Sequence, residues 1–315
     1  MIVTQVVLPV FFVIFLGLLL RRLGKVDERV FSRTQLYVLT PALIFVAMTG
    51  NDAEISILLK VLFFVASLSV ILLAAAQAVG FLFKEDKVTR NAISLASIFS
   101  NSGFYGIPVC MLAFGEEGVV YAAIFVAGSS SVQSTLGIFV ANAGKKKIPE
   151  AIGAVFKVPM IYAIIISKLL LNFDLLPPEP FMKMIDMLGH SAIPLGLLLL
   201  GMQLEKIIFE RFVGVGKYDD NVNDGDRRKE LLQGATAAVI KIGGGFAAGL
   251  LLCEIFGFDS LIRKVLIVEA SMPTAVNAVV MATEFDCRPE IVTVGILAST
   301  VASIATITLV LNYLI

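Results

Sequence analysis

The side chains best placed for chemistry lie in two short stretches far apart in the chain. The first reads Asn101-Ser102-Gly103-Phe104-Tyr105-Gly106-Ile107-Pro108, and the second Glu269-Ala270-Ser271-Met272-Pro273-Thr274-Ala275-Val276-Asn277. Each sits inside an apolar run long enough to cross a bilayer. Proline has no N–H and glycine is a poor helix former, so each stretch predicts a break in a membrane helix. Backbone groups freed by a break cost several kcal/mol apiece in lipid, so the breaks must face protein or a cavity holding water or ligand. Pro108 and Pro273 suit the first position of a resumed helix. The resumed halves, 108–114 and 274–284, would then offer free N–H donors and partial positive charge to an anion. Asn101, Ser102, Ser271, Thr274 and Asn277 would add neutral hydrogen bonds, with Gly103, Gly106 and Met272 completing the lining. The plain alternative is two proline kinks packed against their neighbours.

Four further residues are candidate coupling groups or charge partners. Glu269 lies just before the second break in an apolar run, where a carboxylate must be protonated, paired or in contact with water. It could carry a coupling proton or form a structural pair with Lys241. His190, the only histidine, lies four residues before Pro194 and reads as an interface residue, with a proton relay as the minor reading. Gln133, near Ser129, Ser130 and Ser131, reads as an interhelical hydrogen-bonding group or a cavity-lining one.

The elements that must position these residues are membrane helices. The 315 residues are 58% hydrophobic and 16% charged, with a mean hydropathy of +0.92; soluble domains are about half apolar and a quarter charged. Net charge is zero, which gives no reason to expect a nucleic-acid partner. Cys110, Cys253 and Cys287 have no metal or disulfide spacing. No nucleophile elbow, zinc motif, P-loop or dinucleotide fingerprint supports an enzyme. The first apolar run follows Met1 without a basic region or a cleavage site and is expected to be a retained span.

Ten spans are expected: 3–22, 34–50, 57–83, 90–114, 118–142, 150–171, 181–204, 231–256, 261–284 and 289–314. Prolines recur in order through both sets of five: Pro9 with Pro159, Pro41 with Pro194, Pro108 with Pro273. An odd number of spans per copy makes the repeat inverted. The first repeat is 1–142, the linker 143–149, and the second repeat 150–315 with a cytoplasmic loop at 205–230. Of the 25 Lys and Arg residues, 18 fall on one set of loops and five on the other. The rich side is expected in the cytoplasm, with both termini external on a multi-pass cell-membrane protein. The run Asp219–Asp226 resembles a calcium loop, but Val222 and Leu231 fail its ligand positions, so it reads as a solvated linker.

The two break motifs, with Phe114-Gly115 after the first, resemble the fourth- and ninth-helix signatures of the auxin efflux carrier family. Pro194-Leu195-Gly196 with Leu200-Gly201-Met202 resembles that family's seventh helix. The resemblance covers the whole chain, and the short 143–149 linker is similar to the prokaryotic type. It implies an all-α fold shared with bile-acid and sodium/proton antiporter-like transporters, in which broken helices 4 and 9 cross. It also implies a scaffold domain of helices 1, 2, 6 and 7 and a transport domain of helices 3–5 and 8–10. The activity implied is secondary transport of a small carboxylate by elevator-like alternating access. The substrate, the lipid bilayer and a second copy of the chain are the candidate partners. No cofactor is expected; a proton or sodium ion is the candidate coupling ion. A sodium/proton antiporter and a membrane receptor are the competing readings.

Overall fold

In the computed structural model the described residues are 3–50, 54–141, 158–212 and 224–315. They form helices and turns, with no strand beyond one isolated bridge. Seven of these helices are long and apolar enough to cross a membrane, so the chain is an all-helical, multi-pass membrane protein.

The elements are α1 (Val3–Gly24), α2 (Glu28–Thr49) and α3 (Ile55–Leu82), then α4 (Lys87–Ile98). Winding restarts at Ser102 and runs to Ala141, but Gly115 divides it into α5 (102–114) and α6 (116–141). Gly115 has φ 71° and ψ −162°, a conformation that costs other residues strain. There follow α7 (Pro159–Asn172), α8 (Glu179–Phe212) and α9 (Gly225–Phe256). The last three are α10 (Ser260–Ala270), α11 (Asn277–Glu284) and α12 (Pro289–Leu314). At 1.5 Å per residue, α4, α5, α10 and α11 each reach no more than about 20 Å, short of the roughly 30 Å apolar core of a bilayer. They are the halves of the two interrupted segments.

Some expected boundaries move. The second span starts at Glu28 and not at 34, because the Asp27 side chain accepts the Arg29 N–H at 2.9 Å and caps the helix. The loop expected at 205–230 is shorter: α8 continues to Phe212 and α9 begins by Gly225. Charges hold the α8 extension in place. Arg21 Nε lies 2.9 Å from Glu205, Lys206 Nζ lies 2.8 Å from Glu28, and Arg21 also pairs with Glu28. The 143–149 linker, Lys145–Lys147 and Asp219–Asn223 of the calcium-like run lie outside the described residues.

Lipid tails are as apolar as leucine, so helix association here depends on close packing. Small residues provide it. A Cβ on Gly201 of α8 would collide with the Ile14 carbonyl of α1, and one on Gly17 of α1 with the Leu198 carbonyl of α8. Gly201 and Gly17 thus let α1 and α8 pack closely. The outer face of α1 carries Leu8, Phe12 and Phe15, exposed and spaced for contact with lipid. One set of close neighbours is α1 with α8, and α2 with α7 and α8. A second is α3 with α4, α9 with α10, and α12 with α4 and α9.

Candidate functional site

The two breaks clasp each other. The Asn101 N–H donates to the Pro273 carbonyl at 2.9 Å, and the Ala275 N–H donates to the Phe99 carbonyl at 3.0 Å. Ser100 and Thr274 face each other as an antiparallel bridge. Backbone groups that lipid would leave stranded are thus paired across the crossing. Side chains complete the clasp. The Thr274 hydroxyl donates to the Ala96 carbonyl at 2.7 Å, its N–H donates to Ser299 Oγ at 3.0 Å, and Ser100 Oγ donates to the Glu269 carbonyl at 3.2 Å.

Neither proline starts a resumed helix, contrary to expectation. After the first break, winding restarts at Ser102 as a wide turn in which the Gly106 N–H reaches back to the Asn101 carbonyl at 3.2 Å. Pro108 lies six residues further on, inside the winding. Its missing N–H and its ring disfavour a tight turn behind it, and the wide turn relieves that conflict. After the second break the helix resumes at Asn277, not at 274, and Pro273 lies in the extended link. Its carbonyl is what the clasp uses.

The expected lining residues separate into two groups. Ser271, Met272, Pro273 and Thr274 are fully buried, with the Ser271 hydroxyl turned back onto the Ile267 carbonyl at 2.7 Å. They hold the break together. Asn277 is exposed at the start of α11 and lines a cleft of about 930 Å³. The cleft runs between α2 and the end of α8 on one wall (Arg29, Arg33, Lys206) and α11 and the start of α12 on the other (Glu284, Glu290). Gly103 is half-buried, and a Cβ there would make an ordinary 3.6 Å contact with Val126. Asn101 is 4% exposed, and its amide nitrogen has no partner among the described residues. A buried donor without an acceptor is costly.

Behind the clasp lies a polar pocket of a different kind. Glu269 is fully buried. Its Oε1 accepts from Cys110 Sγ at 3.6 Å, while Oε2 makes no hydrogen bond of full geometry among the described residues. A Cβ on Gly106 would collide with this carboxylate, which explains the glycine. Buried Ser102 Oγ lies close enough to this carboxylate to interact with it. Lys241 is 1% exposed and donates to the Ala270 carbonyl at 3.0 Å, the last carbonyl of α10. The structural Glu269–Lys241 pair is therefore not made as a direct ion pair: the ammonium caps the end of the half-helix, where the carbonyls carry partial negative charge. The wide turn Ile240–Gly244 in α9 carries Lys241, and Gly245 lets α9 approach the Ala270 carbonyl.

Two other candidates fall elsewhere. His190 of α8 lies far from the clasp: Nε2 is 3.0 Å from Glu116 Oε1, and Nδ1 is 3.1 Å from Asp186 Oδ1. Gln133 is buried in α6 and forms none of the expected hydrogen bonds among the described residues. It lies one turn before Gly137, which packs on the Phe99 ring beside the clasp.

Sequence reasoning missed Gln35, Ser299, Thr300 and Ser303. Gln35 Nε2 donates to the Ala192 carbonyl at 2.8 Å, near Pro194. Gly196 one turn later faces the Phe104 backbone, which brings α8 against the first break. Ser303 donates to the Tyr105 hydroxyl at 3.1 Å, and Thr300 Oγ1 is buried without a partner among the described residues. The hydroxyl cluster Ser299-Thr300…Ser303 in an apolar span was the available signal.

Known proteins similar to this chain carry transporter names. An uncharacterized transporter of Methanocaldococcus jannaschii is 26% identical to the chain, covering 98% of both. One of Methanothermobacter thermautotrophicus is 25% identical, covering 97% of this chain and 96% of its own. A Rhizobium meliloti protein whose name provisionally assigns it malonate transport is 25% identical, covering 97% and 94%. The family described as membrane transport proteins matches residues 2–311. The chain thus belongs to the membrane transport protein family, that of the auxin efflux carriers.

Proposed function

We propose that this membrane transporter is a secondary carrier of a small carboxylate, bound where the two broken helices cross. The observation that carries the reading is Asn101: a buried amide donor without an acceptor, set at the clasp between two resumed helices. The antiparallel clasp sends α5 and α11 away in opposite directions, each with its N-terminal, electropositive end towards the crossing. A carboxylate there meets two partial charges and neutral amides. It needs no fixed cation, and so it binds weakly enough to be released. Asn277 at the cleft wall gives it a route in and out. The provisional name of the Rhizobium relative supports malonate, or a dicarboxylate like it, as the first substrate to try.

In this reading each broken pair counts as one crossing, giving ten passes in two inverted sets of five. Helices α1, α2, α7 and α8 form the scaffold, and the others carry the site past it. The basic side, with Arg21–Arg33 and Lys206, is cytoplasmic, both termini are external, and the cleft opens inward. Glu269 is the candidate proton carrier. A buried carboxyl with one open oxygen, behind the site and not in it, can exchange a proton when the crossing moves. Uptake of labelled malonate into proteoliposomes, with and without imposed proton and sodium gradients, tests the reading. Accumulation driven by a proton gradient and lost in Glu269→Gln is the expected result. No uptake of any carboxylate under any gradient would overturn it.

A further inference from the structure

The carrier reading requires two faces that close in turn, and both faces carry complementary charge. On the side away from the cleft, His190 of α8 bonds to Glu116, which follows α5 directly after Gly115. On the cleft side, α2 presents Arg29 and Arg33, one turn apart, to a wall carrying Glu284 at the end of α11. Among the described residues, none of these three side chains forms an ion pair. Glu28 on the same wall is already held by Lys206 and Arg21.

The two sets are related by the architecture. Glu116 begins α6, just past the end of the helix resumed after the first break, and Glu284 ends the one resumed after the second. The breaks are antiparallel, so these acids sit on opposite faces. On the facing helices, His190 lies four residues before Pro194 in α8, and Arg29 and Arg33 lie 12 and 8 residues before Pro41 in α2. His190 and Lys206 are 16 residues apart on one helix, which separates the faces by about 24 Å.

We propose that these are two alternating latches. His190–Glu116 holds the far face shut while the cleft is open, and Arg29 and Arg33 close on Glu284 when the cleft shuts and the first latch parts. This rests on the carrier reading for its two states but not on any substrate. Each latch joins a helix of the proposed scaffold to one that moves, so it biases one state against the other. Exposed ion pairs are weak, so each should shift the ratio of states by no more than about five-fold, as a carrier that must keep cycling requires.

The test uses the full chain carrying Val280→Cys, an exposed cleft position; the three native cysteines are buried. A membrane-impermeant maleimide is applied from the cleft side, and the labelling rate is measured. Glu116→Gln and His190→Ala should slow labelling, because the open-cleft state loses its latch. Glu284→Gln and the double variant Arg29→Ala/Arg33→Ala should speed it. The exchange Arg29→Glu/Arg33→Glu/Glu284→Arg should return the rate towards the parent. Rates that do not change, or that move the same way for both sets, overturn the latches. If labelling shifts as stated while no carboxylate is taken up, the latches stand and the substrate reading fails. If uptake persists with unshifted labelling, the reverse holds.

Discussion

The two breaks share a vocabulary of Asn, Ser, Pro and small residues but use it differently. In the first, the chain leaves helical form for only a few residues, Phe99 to Asn101, and then rewinds through a wide turn capped by the Asn101 carbonyl. In the second, six residues from Ser271 to Val276 intervene before α11 begins. Asn101 is buried with an unpaired donor, whereas Asn277 is exposed on the cleft wall. A shared vocabulary therefore does not give equivalent sites. One break holds a buried donor and the other lines the cleft.

The sharpest way to break this comparison is to overfill the first break. Gly106→Val should be the most damaging change, because its side chain would enter the space of the buried Glu269 carboxylate. A loss of about 1–3 kcal/mol or more is expected, read as a lower unfolding temperature in detergent. Gly103→Ala, three residues away, meets only an ordinary contact with Val126 and should be tolerated. Equal tolerance at both glycines would remove the polar pocket from consideration.

Next come the asparagines. Asn101→Ala removes a buried donor to a charged ligand, worth roughly 1.5–3 kcal/mol, or about ten- to a hundred-fold in binding. Asn277→Ala removes an exposed one and should cost only a few-fold. Equilibrium binding to the two purified variants orders them; a larger loss at Asn277 would reverse the assigned roles.

The prolines should differ more modestly. Pro108→Ala restores an N–H behind the wide turn and lets it tighten. Transport is expected to slow several-fold with affinity kept, measured as separate changes in kcat and KM. Pro273→Ala keeps the carbonyl that the clasp uses and should change little.

A last expected effect lies away from both breaks and calibrates the others. Asp86 caps α4 by accepting the Thr89 N–H at 2.9 Å, and this bond above all holds its carboxyl below the usual value. Asp86→Ala should cost about 1 kcal/mol. Because the folded-state value is depressed, that contribution is complete above the ordinary aspartate range and fades as pH falls through the lowered value. Melting curves of parent and variant should therefore converge in acid.

The sequence showed where the helices break because proline, glycine and asparagine in an apolar run have few other uses. It did not show how the breaks are shaped. Pro108 and Pro273 were expected to start helices on a local rule, but the partner break decides the geometry: Asn101 needs the Pro273 carbonyl, and this holds the second link extended. Ser271 and Thr274 are hydroxyls like any other in sequence, and only the structure shows that the first donates back to Ile267 in its own helix and the second to Ala96 across the crossing. Lys241 and Glu269 were rightly singled out as costly residues. That the ammonium caps α10 and does not meet the carboxylate depends on a wide turn in α9 that no motif announces.

The most direct measurement is binding of labelled malonate to purified parent protein and to Asn101→Ala, with unfolding temperatures recorded alongside. Binding by the parent, weakened at least about ten-fold in a variant that melts with the parent, is the expected result. Equal binding by the two proteins would place the carboxylate away from the crossing and leave the paired breaks as packing features alone.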